Sequence, residues 1–129
     1  MRIRTIVLAV AIFFALTGIA SAQTARTSRL MREKLLHSQR VLAALTTSDY
    51  VLMQRETQAL TKITQSPEWS ELITSSLRPY TSAFTKALAD LTAAADRRDY
   101  DAAGTGYTAM TMACIQCHKY VMKSRIAGQ

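Results

Sequence analysis

An all-α fold, with four amphipathic helices running up-down-up-down, is what this sequence predicts, and three observations carry the prediction. Only two prolines and four glycines punctuate 129 residues. The chain is rich in Ala, Leu, Met, Gln and Thr and poor in strand-like alternation. Its apolar residues recur at three- and four-residue steps in segments of similar length joined by short polar connections, the pattern of an antiparallel bundle.

The first helix is expected from about Thr27 to Leu45, with Met31, Leu35, Ser38, Leu42 and Leu45 along one stripe and Leu30, His37, Val41 and Ala44 along its neighbour. Thr46-Thr47-Ser48 forms a turn with capping side chains, after which Tyr50, Met53, Leu60 and Ile63 mark a second helix ending near Gln65. Ser66-Pro67-Glu68 is a further start signal. Trp69 to Leu77 reads as a short helix or a loop, with a break near Arg78, because the residue before a proline is pushed away from helical geometry. The third long helix then carries Tyr80, Phe84, Ala87, Leu88, Leu91 and Ala95 as far as Asp96-Arg97-Arg98. A fourth begins near Asp99, aligns Tyr100, Ala103, Tyr107, Met110, Cys114, His118 and Val121, and stops before Gly128.

This length suits one domain around one core. Ahead of it, residues 1–22 have the build of a secretory signal peptide: Arg2 and Arg4, an apolar run from Ile6 to Leu16, and the small triplet Ala20-Ser21-Ala22. Cleavage after Ala22 would leave residues 23–129 as an exported, periplasmic domain. Retention as an anchor is the alternative, against which stands a run shorter than the ~20 residues that span a bilayer. Losing the two leader arginines takes the 16 basic residues to 14 against 9 acidic ones, a formal charge of +5. Such a surplus suits solubility and an acidic docking partner. The basic residues are scattered and no nucleic-acid-binding motif is present, so nucleic acid is not an expected partner.

The only two cysteines, Cys114 and Cys117, stand in the run Cys114-Ile115-Gln116-Cys117-His118, the C-x-x-C-H sequence of covalent haem attachment. On a helix, two thiols at this spacing reach the two vinyl-derived carbons of one porphyrin edge, and the adjacent imidazole takes an axial position on iron. A disulfide would close only a tiny loop and remove little entropy. A redox dithiol belongs at a helix start after a strand, and structural zinc needs four ligands where only His37 and carboxylates remain to be added. One covalently held haem c per chain is the expectation, bound by Cys114 and Cys117 with His118 on iron.

A leader, four amphipathic helices and a C-x-x-C-H near the chain end resemble the cytochrome c′ family of class II c-type cytochromes. The likeness extends through Trp69, Phe84, the run Leu91-Thr92-Ala93-Ala94-Ala95-Asp96, Asp99 and the interval from Asp96 to Cys114. It implies a left-handed four-helix bundle holding the haem between helices, often as a homodimer. It also implies that one residue of the first helix decides the sixth iron position, and Met31 stands at about that level, as a thioether ligand or as plain core. His37, nearly two turns further on and on the neighbouring stripe, reads as a boundary residue. Met53, Met110, Met112 and Met122 read as gap fillers, and Trp69, Tyr80, Phe84 and Tyr107 as residues that line the haem pocket or simply pack. Family members commonly carry a basic residue one turn past the ligand histidine. Here that position is Met122, with Lys123 and Arg125 on other faces, which counts against a proximal gas-binding role.

The functional expectation is electron transfer by Fe(II)/Fe(III) cycling between redox partner proteins, without catalysis, since no distal His-Arg acid/base pair is identifiable. The competing expectation is a five-coordinate binder of small gases such as nitric oxide.

Overall fold

A computed structural model describes the backbone from Arg2 to Ala127 and side chains from Gln23 to Ala127. The expected leader, residues 1–22, therefore lies outside the described side chains. The described chain is helical, with no strand: α1 (Arg2–Thr46), α2 (Tyr50–Thr64), α3 (Pro67–Leu72), α4 (Arg78–Asp96) and α5 (Tyr100–Ala127). Among these residues, no helix is long and apolar enough to cross a membrane.

The fifth helix comes from the stretch that the sequence left open. Ser66 caps α3 by accepting a hydrogen bond from the Trp69 amide, and Pro67 occupies its first turn. The helix lasts one and a half turns before Ile73 turns extended. The chain then re-enters a helix at Arg78, one residue earlier than the proline rule suggests. Pro79 sits within the first turn of α4, where its missing N–H costs nothing, and Arg78 takes the helical position before it.

Two of the connections are the same device. Ser48 and Arg98 adopt left-handed φ values of 55° and 56°. After α1, the Ser48 and Asp49 amides bond back to the Leu45 and Ala44 carbonyls. After α4, the Arg98 and Asp99 amides do the same to Ala95 and Ala94. Each turn satisfies the last carbonyls of one helix in a Schellman arrangement. Each then runs straight into an aspartate cap of the next: Asp49 accepts from the Leu52 amide and Asp99 from the Ala102 amide. Stop and start signals are thus fused in four residues, which folds α2 back on α1 and α5 back on α4.

α1 packs on α2, α2 on α4 and α4 on α5, while α1 meets α5 only lightly. The core contains Val41, Ala44, Leu45, Met53, Leu60, Phe84, Leu88, Leu91, Ala94, Ala95, Ala103 and Met110. Along α5 the buried face is Ala103, Gly106, Met110 and Ala113, slightly rotated from the expected stripe, so that Tyr100 is exposed. At Gly106 the helices α4 and α5 approach so closely that a Cβ would stand 3.0 Å from the Leu91 Cα.

The buried face of α1 follows the second of its two expected stripes, Leu30, Val41 and Ala44, more than the first. Leu35 and Leu42 are exposed, and the core stripe is Leu30, Lys34, Val41, Ala44 and Leu45. A lysine in register with apolar residues disguised this face, and the leucines one position along carried the stronger hydropathy signal. Met112 and Met122 are exposed rather than gap-filling, at 47% and 61%. Met53 and Met110 are fully buried.

Inside the α1–α2 contact lies one buried carboxylate, Glu56. Its Oε2 stands 2.6 Å from His37 Nδ1, and its Oε1 accepts from Arg55 at 3.1 Å and pairs with the Arg55 guanidinium at 3.0 Å. Burial pushes the Glu56 carboxyl up, but the bonds from His37 and Arg55, with the charges of His37 and Arg40, outweigh it and hold the group below its ordinary range. A depressed carboxyl contributes stability that is present above its unfolded pKa and is lost as pH falls through the folded one. Glu56→Gln is therefore expected to lower stability at neutral pH by about 2 kcal/mol. The gap to the parent protein should close as pH drops below the carboxylate range, which urea unfolding at a series of pH values measures; a gap independent of pH would contradict the assignment.

Candidate functional site

Where α1 and α5 fail to close, a cavity of about 540 Å³ opens between α1, α3, α4 and α5, a size within the usual range for small-molecule sites. Four expected site residues line it together: Met31 from α1 and Cys114, Cys117 and His118 from α5. The periodicity of α5 places them, since residues 110, 114, 117 and 118 fall on adjoining strips of one helix face. Trp69 from α3, Tyr80 and Phe84 from α4 and Tyr107 from α5 complete the walls. The Tyr80 ring is braced by Tyr120, their centroids 5.3 Å apart in a tilted pair.

Depth is graded along the α5 wall. Met110 is fully buried, Cys114 and Cys117 are half-buried, and His118 is exposed at the rim. Leu35 lines the same cavity while 58% exposed, so an occupant of the cavity would cover apolar surface that water now touches. His37 does not line the cavity; it is engaged with Glu56 on the α2 side, as its place on the neighbouring stripe suggested.

The thiols are free and are not poised as nucleophiles. Burial pushes both Cys114 and Cys117 up from the ordinary thiol range, with the Lys34 charge pulling each partway back. A dithiol redox catalyst shows the opposite perturbation. Among the described residues, no three His, Cys, Asp or Glu side chains converge as a metal-binding group. The candidate donors instead spread along one wall of a largely apolar space: two free thiols and one rim imidazole, facing aromatic walls. Two thiols, an imidazole and an apolar, aromatic lining in one cavity are residue types that would suit a covalently held haem.

One lining residue escaped the sequence reading. Lys34, only 9% exposed, extends along the α1 wall with Nζ 3.9 Å from the Trp69 ring centroid and 3.7 Å from that of Phe84. Its signal in the sequence was its register: it stands four residues after Leu30 and seven before Val41.

Compared with protein-family models, with curated proteins and with solved structures, the chain matches none.

Proposed function

We propose that this chain is an exported c-type haem protein of the class II kind, a helical bundle that carries single electrons between periplasmic redox partners. The observation that carries the reading is the shared cavity: Cys114, Cys117 and His118 line it from α5, facing Met31 and the aromatic residues. When attached there, haem c supplies a one-electron Fe(II)/Fe(III) couple. The chain's own residues do the rest. Cys114 and Cys117 would hold the haem covalently, His118 would give its iron a nitrogen ligand, and Trp69, Phe84 and Tyr107 would exclude water from it. Low polarity around the metal limits the solvent reorganisation that accompanies each electron. The +5 charge of residues 23–129 favours acidic redox partners, and a homodimer accords with the family resemblance.

α1 decides between a carrier and a gas binder, because it forms the wall that a sixth ligand would come from. Met31 lines the cavity there, half-buried. Spectra of the oxidised and reduced haem-loaded protein, followed by carbon monoxide addition to the reduced form, test the proposal. The expected result is low-spin iron in both states and no response to carbon monoxide. A high-spin spectrum with ready carbon monoxide binding would replace electron transfer with reversible binding of small gases.

A further inference from the structure

The α1 wall offers two donors one turn apart, Met31 and Lys34, and they are not equally placed. Lys34 lies on the buried stripe of α1, whereas Met31 is only half-buried beside it. The Lys34 ammonium has no hydrogen bond and no ion pair among the described residues, and no Asp or Glu lines the cavity that contains it. Its neighbours are the faces of Trp69 and Phe84, at 3.9 and 3.7 Å. Both thiols line the same cavity. A buried lysine without a carboxylate is costly, and a helix of this pattern has no packing need for one when Leu or Met would fill the space.

We propose that Lys34, rather than Met31, supplies the sixth iron ligand, through its side-chain amine. The inference rests on the haem reading above. Two features make the amine suitable. The amine is enclosed between two aromatic rings with almost no access to water, so its charged form gains little hydration there. The flexible four-carbon stem places the nitrogen among the same aromatic faces that would flank a porphyrin. The ammonium releases one proton to solvent and the freed lone pair on Nζ forms the bond to the metal; no electron changes hands. The cation–π contacts that now satisfy the ammonium are then exchanged for a metal–nitrogen bond. Together with His118 the centre would be ligated by two nitrogens, a harder donor set than nitrogen with a thioether.

The test begins with the full-length protein matured with haem, without any substitution. Covalent haem is checked first, by haem staining after denaturation; its absence would sink the haem reading itself, and this inference with it. With haem attached, Lys34 ligation predicts a low-spin ferric spectrum that lacks the near-red methionine-to-iron band. Lys34→Ala should then turn high-spin and gain carbon monoxide binding, and Met31→Leu should leave the spectrum unchanged. A near-red band in the parent protein, lost in Met31→Leu, would overturn the proposal in favour of the thioether while leaving the haem reading intact. A high-spin parent spectrum, or a low-spin Lys34→Ala spectrum identical to the parent's, would also overturn it. Should Lys34→Ala not accumulate, the presence or absence of the near-red band in the parent protein still decides.

Discussion

Replacing Cys114 and Cys117 together by alanine is expected to abolish covalent haem: in a host that attaches haem c, the double variant should show no haem stain after denaturation. The argument is geometric. Both thiols line one cavity wall from the same helix, and the chain contains no other cysteine to substitute for either. Either single variant keeps one possible thioether and should retain a reduced, single-linked population. The double variant should also lose stability, because an apolar cavity of about 540 Å³ is left without the occupant that would cover the exposed Leu35. A loss of even about 2 kcal/mol lowers Tm by roughly 7–9 °C in a domain of this size. Unchanged covalent haem in the double variant would end the attachment proposal outright.

Gly106→Val is expected to be the most damaging single substitution outside the cavity. A Cβ at Gly106 would meet the Leu91 N, Cα and Cβ, all at 3.0 Å. Backbone atoms of a helix cannot rotate aside as a side-chain tip can, so α4 and α5 must separate along their length. Strain of this kind costs about 3 kcal/mol, and the β-branched side chain makes it worse. Gly104 provides the internal comparison, since a Cβ there would meet nothing within 4 Å. Gly104→Ala should stabilise by up to about 1 kcal/mol through helix propensity alone. Denaturant unfolding measures both; a Gly106→Val midpoint equal to that of the parent protein would show that the α4–α5 contact yields more easily than its geometry indicates.

The two substitutions also mark where the sequence was informative. The spacing of Cys114, Cys117 and His118 and the helical period of α5 were readable because both are local properties of one helix. Trp69, Tyr80, Phe84 and Tyr107 were readable as a group of large aromatic residues, and all four line the cavity. The turn after α1 and the start of a helix near Asp99 were readable too, although the residue that caps α2 is Asp49, just past Thr46-Thr47-Ser48. What stayed hidden depends on partners distant in the chain. Gly106 is unremarked in a helix until Leu91 is known to lie against it. Glu56 looks like one more polar residue of an amphipathic helix until His37, nineteen positions earlier, is seen beside it. The place of Lys34 on α1 was missed for the same reason: hydropathy ranks Leu35 above Lys34, yet the cavity leaves Leu35 open to water and encloses Lys34 between two rings.

The fused turns at Ser48 and Arg98 bear on how such a molecule is assembled. Each closes a helical hairpin from residues adjacent in sequence, α1 with α2 and α4 with α5, so little chain entropy is lost in forming either one. The remaining event is the docking of α2 on α4 across the longer connection that holds α3, which leaves the α1–α5 seam only lightly closed. A chain built this way reaches a nearly complete bundle while keeping a slot beside Cys114 and Cys117. A haem of the proposed kind would enter through that slot without prying apart either hairpin, and would then serve as the keystone between the first helix and the last.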